Sequence, residues 1–281
     1  MKIITDSTAD LTKEFILKHN IEIVPLTIHL GDKSWKDYYD VETDEYYELL
    51  RKSSAFPTTS QPTPQDFVNA YSPFVEKGEP ILSVHLSSKL SGTFQSALLA
   101  RSQFAGARIE VVDSLQASFA LSMIVIICAE KANQGASLEE VADVARKIGP
   151  QIETYFSVDS LEYLHRGGRI GKAQAFLGTL MKIKPLLKVV NGEVQPIEKI
   201  RTRDRLLNRF VELVEQAARE HSQLILTVAE SDNSEVMTEL LGRLERIPGV
   251  SLVFRGKIGG VITSHAGPGA LGIAFVKDML K

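Results

Sequence analysis

The sequence has a single cysteine, Cys128, among its 281 residues. One thiol cannot close an intramolecular disulfide, and it excludes a zinc site built on several thiolates. Cys128 lies in the run Phe119–Ala129 (FALSMIVIICA), where it reads as a small buried hydrophobe rather than a reactive thiol. Long apolar runs are also missing. That stretch is the most apolar in the chain, yet it covers about 11 residues where a membrane span needs roughly 20. Glu130 and Lys131 end it, so a buried core helix is expected. Histidine is sparse: residues 19, 29, 85, 165, 221 and 265. No two of them are four apart, so no helix carries a two-histidine metal face, and neither a metal nor a cofactor is expected. Charge of one sign is not in excess either. Lys plus Arg is 32 and Asp plus Glu is 35, a net charge of −3. A chain so near neutrality lacks the positive field of a bulk nucleic-acid binder. Asp6 comes too early for a secretory signal, so a cytoplasmic protein without an anchor is expected. There is no internal repeat and no low-complexity tract.

What is present is an ordinary globular composition, 44% apolar and 24% charged. At roughly 150 residues per domain, the length suits one large domain or two ordinary ones. In the first half, short apolar runs alternate with helical patterns. Strands are expected at 2–5, 21–30, 81–86 and 108–112. Helices are expected at 12–19, from Thr43, from Thr63-Pro64, at 91–104, at 115–133 and from the capping box Ser137-Leu138-Glu139-Glu140. Such βαβα alternation predicts a mostly parallel sheet covered on both faces. In the second half, strands at 186–190 and 194–200 flank Asn191-Gly192, a strong hairpin signal. Strands at 152–158, 223–229, 250–256 and 271–276, with helices at 202–220 and 234–246, complete a mixed α+β unit. The reading is an α/β protein of two domains, 1–150 and 151–281, parting at Gly149-Pro150.

Four stretches and one arginine at a strand end could carry chemistry. His165-Arg166-Gly167-Gly168-Arg169-Ile170-Gly171-Lys172 looks like a phosphate loop. However, its glycines are wrongly spaced and Ala173 follows the lysine. It reads as a flexible basic turn or a docking surface, with Arg166, Arg169 and Lys172 as its cations. Ser87-Ser88-Lys89-Leu90-Ser91-Gly92-Thr93 opens a helix at the carboxyl end of a strand, where open α/β sheets bind ligands. It serves either as a helix cap or, with free N–H groups beside the hydroxyls, as an anion site. Pro57-Thr58-Thr59-Ser60-Gln61-Pro62-Thr63-Pro64 is a second hydroxyl cluster, held extended by its prolines. Ser264-His265-Ala266-Gly267-Pro268-Gly269 sets a titratable group beside glycines, and Arg201 closes a strand. The G-x-S-x-G elbow of hydrolases is absent.

Taken with Asp6-Ser7-Thr8-Ala9-Asp10-Leu11, Thr59-Ser60-Gln61-Pro62, Val112-Asp113-Ser114, Ser160–Ile170 and Glu198-Lys199-Ile200-Arg201-Thr202, these motifs resemble the DegV family. Its members are bacterial fatty-acid-binding proteins that act as acyl carriers for fatty acid kinase. The resemblance implies a long-chain fatty acid held between two domains, its carboxylate bonded near Thr59 and Ser91, with Arg201 and His265 close by. Ser60, Gly92 and Thr93 join them as candidate ligand-binding residues. It implies a partner kinase that phosphorylates the carboxylate to an acyl phosphate for phospholipid synthesis, and no resident catalysis. Phe176, Leu177, Leu180, Met181 and Ile183 are candidates for the tunnel wall. The competing expectation is a lipid hydrolase or acyltransferase using Ser91 and His265.

Overall fold

The computed structural model describes residues 1–178, 183–221 and 223–278. The strands are β1 (Lys2–Asp6), β2 (Glu22–Val24), β3 (Thr27–Leu30), β4 (Lys33–Lys36), β5 (Thr58–Ser60), β6 (Ile81–His85), β7 (Ile109–Asp113), β8 (Glu153–Ser157), β9 (Lys184–Val190), β10 (Glu193–Ile200), β11 (Leu224–Glu230), β12 (Val250–Lys257) and β13 (Leu271–Lys277). The helices are α1 (Lys13–Lys18), α2 (Thr43–Lys52), α3 (Pro64–Val75), α4 (Thr93–Arg101), α5 (Phe119–Asn133), α6 (Leu138–Ile148), α7 (Glu162–Arg166), α8 (Arg203–Glu220), α9 (Ser234–Leu244) and α10 (Gly260–Ala266).

Three sheets organise them. The first, ordered β2-β1-β6-β7, is parallel throughout. The second, β4-β3-β5, is small and antiparallel. The third, β10-β9-β8-β13-β11-β12, is mixed, with β11 and β12 parallel. The α/β class is as the sequence predicts, but the small sheet is not. The strand expected over 21–30 is two strands in different sheets, because Pro25 offers no N–H to continue a ladder. The proline-bounded loop likewise contains β5, paired to β3. The expected hairpin forms at Asn191-Gly192, both with positive φ, as a two-residue turn requires.

α5 explains how the sheets are joined. Phe119 through Ala129 are all buried, and the helix packs against β1 of the parallel sheet and β11, β12 and β13 of the mixed one. An all-round apolar helix needs partners on every side. Its hydrophobic cluster therefore runs from Ile3 to Val276 without a break. α5 begins at Phe119 rather than 115, because Leu115 and Ser118 have left-handed φ values. α10 makes a second joint. Although late in the chain, it packs against α2, β3 and β5. Asp37 caps it by accepting from the N–H groups of Gly260 and Val261.

Candidate functional site

A cavity, part of it open to solvent, lies between the parallel sheet, the small sheet and the mixed sheet. Most of its wall is apolar: Leu26, Leu86, Leu90, Phe119, Phe156, Leu164, Val189, Val194, Ile258, Val261 and Ile262. Strand alternation explains part of this list. Thr154 and Phe156 are two apart on β8, so both face the cavity, while Tyr155 joins the cluster on the other side. Six polar side chains also reach the wall: Thr59, Ser91, Ser118, Thr154, Arg169 and His265.

Two of these are already satisfied from behind. Ser118 donates to the Asp10 carboxylate, and Thr154 Oγ1 donates to Gln116 Oε1 at 2.8 Å. The other four form a chain of contacts. Thr59 Oγ1 lies 2.8 Å from His265 Nε2. His265 feels the charge of Arg169. Arg169 Nε donates to the carbonyl of Leu90 at 3.0 Å, next to Ser91, and its guanidinium also donates to the carbonyl of Gly167. Gly167 must be glycine, since a Cβ there would fall 2.3 Å from His265 Nδ1.

Burial, and secondarily the Arg169 guanidinium, push the His265 imidazole down to about 4, so it is neutral near pH 7. Its Nδ1 is buried without a hydrogen-bond partner among the described residues. A buried N–H left unbonded is rarer than an idle acceptor. We therefore assign the proton to Nε2, which donates to Thr59 Oγ1 and leaves the threonine proton free. Ser91 is wired alike. Its Oγ accepts from the N–H of Thr93 at 3.3 Å and pairs with Thr93 Oγ1 at 2.9 Å. Both hydroxyls can turn a proton toward a bound acceptor, beside one fixed cation, Arg169. That polarity suits a carboxylate.

The other expected residues fall elsewhere. Ser60 alternates with Thr59 along β5 and points outward, where its Oγ meets His29 Nε2 at 2.8 Å. Gly92 precedes α4, with the Gln61 carboxamide lying over it, and Thr93 is buried beneath Ser91. Arg201 is exposed just beyond β10 and does not line the cavity. Seven strand residues beyond Val194, it sits roughly 20 Å from that wall. Arg169, grouped from the sequence with a surface docking turn, instead lines the cavity, whereas Arg166 and Lys172 are exposed. Arg166 pairs with Glu162 at 2.5 Å and lies over the Phe56 ring. Phe176, Leu177 and Ile183 line a different hollow beside α7, and Leu180 and Met181 lie outside the described residues. Nothing local in the sequence marks Leu26, Ile258 or Ile262 as wall, and the apolar run beginning at Phe119 reads only as a buried core helix.

Hydrolase geometry is not assembled around Ser91. His265 Nε2 is bonded to Thr59, and no carboxylate orients its Nδ1. A Ser-His-Asp chain does exist at another place. Ser83 Oγ is 2.6 Å from His85 Nε2, and His85 Nδ1 is 3.0 Å from Asp6 Oδ2. All three residues are fully buried, and Ser83 also accepts from Tyr71 at 2.8 Å. Without substrate access, that network braces β1 against β6. Among the described residues, no group of three or more His, Cys, Asp or Glu is placed to hold a metal ion. No helix among them is long and apolar enough to cross a membrane.

A family model described as "Uncharacterised protein, DegV family" matches residues 1–278. The chain belongs to the DegV family. It is 33% identical over 275 residues to the protein DegV of Bacillus subtilis, covering 97% of this chain and 98% of that one. Solved structures agree on the fold. A fatty-acid-binding DegV family protein of Thermus thermophilus superposes with a TM-score of 0.92 at 34% identity, covering 99% of both chains. A stearic-acid-binding protein of Eubacterium ventriosum gives 0.89 at 28% identity, covering 98% of both. Fatty-acid binding is thus a property of structurally characterised members of the family to which this chain belongs.

Proposed function

We propose that this DegV-family chain binds one long-chain fatty acid, with its tail in the apolar cavity and its carboxylate at Thr59 and Ser91, beside Arg169 and His265. The observation that carries the reading is the cavity itself: an apolar wall with donor hydroxyls and one cation gathered at a single place. The energetics fit. Burying about 14 methylenes at roughly 0.8 kcal/mol each contributes about 11 kcal/mol before ordering costs. The tail supplies affinity, and the head-group site supplies orientation. A carboxylate buried without partners is heavily penalised, and the hydroxyl donors and Arg169 remove that penalty.

On this reading the protein is a carrier without catalysis of its own. It presents the carboxylate to a partner fatty acid kinase, which phosphorylates it to an acyl phosphate for phospholipid synthesis, in the cytoplasm. The bonding of His265 to Thr59 rather than Ser91 supports a carrier over a hydrolase. Arg201, with Arg166 and Lys172, is exposed and available to the kinase rather than to the lipid. His265, neutral beside the head group, would act at the phosphoryl-transfer step only through Thr59, whose hydroxyl proton it leaves free for the oxygens that gather negative charge. The test is mass spectrometry of an organic extract of the purified protein, with quantitation of free fatty acid. About one equivalent per chain is expected. Recovery of none, from protein that also fails to bind added long-chain acid, overturns the reading.

A further inference from the structure

The two hydroxyls proposed to hold the head group come from separate elements: Thr59 from β5, and Ser91 from the loop before α4. One side chain spans the gap between those elements. Gln61 follows Thr59 by two residues, and its Nε2 donates to Ser96 Oγ at 3.1 Å, inside the first turn and a half of α4. On the way, the Oε1/Nε2 edge of its carboxamide faces Gly92, the residue after Ser91. A Cβ built on Gly92 would fall 2.2 Å from Gln61 Oε1, 2.7 Å from Nε2 and 2.8 Å from Cδ. Gly92 has no left-handed φ to explain its lack of a side chain; its conformation, φ −77 and ψ 7, is open to any residue. What glycine supplies here is room for the amide. Ser96 is buried to 98%, so the far anchor is fixed, whereas Gln61 itself is exposed and contributes little to the core.

We infer that Gln61 is a positioning residue for the head-group site: its carboxamide, seated on Gly92 and bonded to Ser96, sets the separation of the Thr59 and Ser91 hydroxyls and so the preference for a carboxylate. The inference rests on the fatty-acid reading above. Two donors address one carboxylate only at a fixed spacing; α3 packs on α4 further along, but β5 belongs to the small sheet and is not paired in one sheet with the elements beside Ser91. Losing the brace leaves the tail cavity intact and blurs only the head.

The test compares a long-chain fatty acid with the fatty alcohol of the same length, by competition for one fluorescent lipid probe. The variants are Gln61→Ala, Gly92→Ala and their combination, each with its melting temperature. Gln61→Ala lowers the preference for acid over alcohol by about tenfold, with alcohol binding and melting temperature held. Gly92→Ala does the same, because its Cβ displaces the flexible amide and not the backbone. Once Gln61 is alanine, adding Gly92→Ala changes little, since the amide it displaces is gone. An unchanged preference in Gln61→Ala overturns the inference, as does an equal loss of acid and alcohol binding, which would mark a general structural role. If the wild type itself shows no preference for acid over alcohol, the carboxylate reading fails instead.

Discussion

The imidazole Nε2 of His265 and the hydroxyl of Thr59 lie 2.8 Å apart although 206 residues separate them in sequence. The contact ties α10 of the mixed-sheet half to β5 of the small sheet, and it decides which way the threonine proton points. It also gives the head-group site a contribution from each half of the chain.

Removing either donor weakens that site. Thr59→Ala and Ser91→Ala should each reduce fatty-acid affinity by about 1.5–3 kcal/mol, the range for a hydrogen bond to a charged group. Titration with a fluorescent fatty acid measures this, and circular dichroism checks that both variants stay folded. Wild-type affinity in both would place the carboxylate elsewhere.

Arg169 bears on both the ligand and its neighbour. Arg169→Met should weaken binding of fatty acid more than of fatty alcohol, because only the acid carries the charge it balances. The same change removes the guanidinium that helps hold His265 at about 4, so the imidazole should titrate closer to its ordinary 6.5. An NMR titration of the His265 ring reads this directly. An unmoved midpoint would leave burial as the sole cause.

The cap of α10 predicts a pH dependence of stability. Burial raises the Asp37 carboxyl from 3.8 to about 6. The folded state therefore holds this proton more tightly than the unfolded chain. Above pH 6 the ionised group costs the fold up to about 3 kcal/mol, and the cost is relieved as pH falls through 6 toward 3.8. Asp10, also raised by burial and by the nearby Asp37 charge, acts in the same direction. His265 acts oppositely, its contribution being lost as pH falls from 6.5 to about 4. Asp37→Asn keeps an acceptor for Gly260 and Val261 but cannot ionise. Its stability relative to wild type, by urea unfolding, should rise between pH 5 and pH 7. A constant difference would mean that Asp37 titrates normally.

Filling the cavity should separate lipid binding from folding. Ala117 is half-buried on the wall, so Ala117→Leu adds bulk into space rather than into packed neighbours. Affinity for the longest acids should fall several-fold while the melting temperature is kept. A series of chain lengths would show it; equal loss at every length would point to the head group.

Phosphoryl transfer tests the exposed arginine. Arg201→Ala should carry near-normal lipid yet form much less acyl phosphate with the cognate kinase and ATP. A fall in bound lipid in step with product would make Arg201 a lipid contact, against its exposed place beyond β10.

Local patterns made the larger elements legible. Pro64 at the first helical position opens α3, the capping box at Ser137 opens α6, and Asn191-Gly192 turns the β9–β10 hairpin, because caps and turns are decided by a few adjacent residues. The small sheet was not legible. Its strands are three or four residues long, β5 is Thr-Thr-Ser, and each exists only through pairing with the others. The site was read unevenly for the same reason. Hydroxyl clusters and a histidine among glycines are visible as letters, so Thr59, Ser91 and His265 stand out. Arg169 looks like its surface neighbours Arg166 and Lys172, and only the path of the glycine-rich turn brings its guanidinium to the carbonyl of Leu90. The converse holds for Arg201, which is an equally plausible anion partner as a letter but is carried away by the length of β10.

The late position of α10 has a consequence for biosynthesis. A chain leaving the ribosome has made both sheets of its first half, Thr59 and Ser91 included, long before His265, Val261 and Ile262 exist. Until they do, the cavity lacks a wall and the threonine lacks its partner. On the proposed fatty-acid reading, loading with lipid is therefore an event of the finished polypeptide, and a truncated or stalled product should emerge empty.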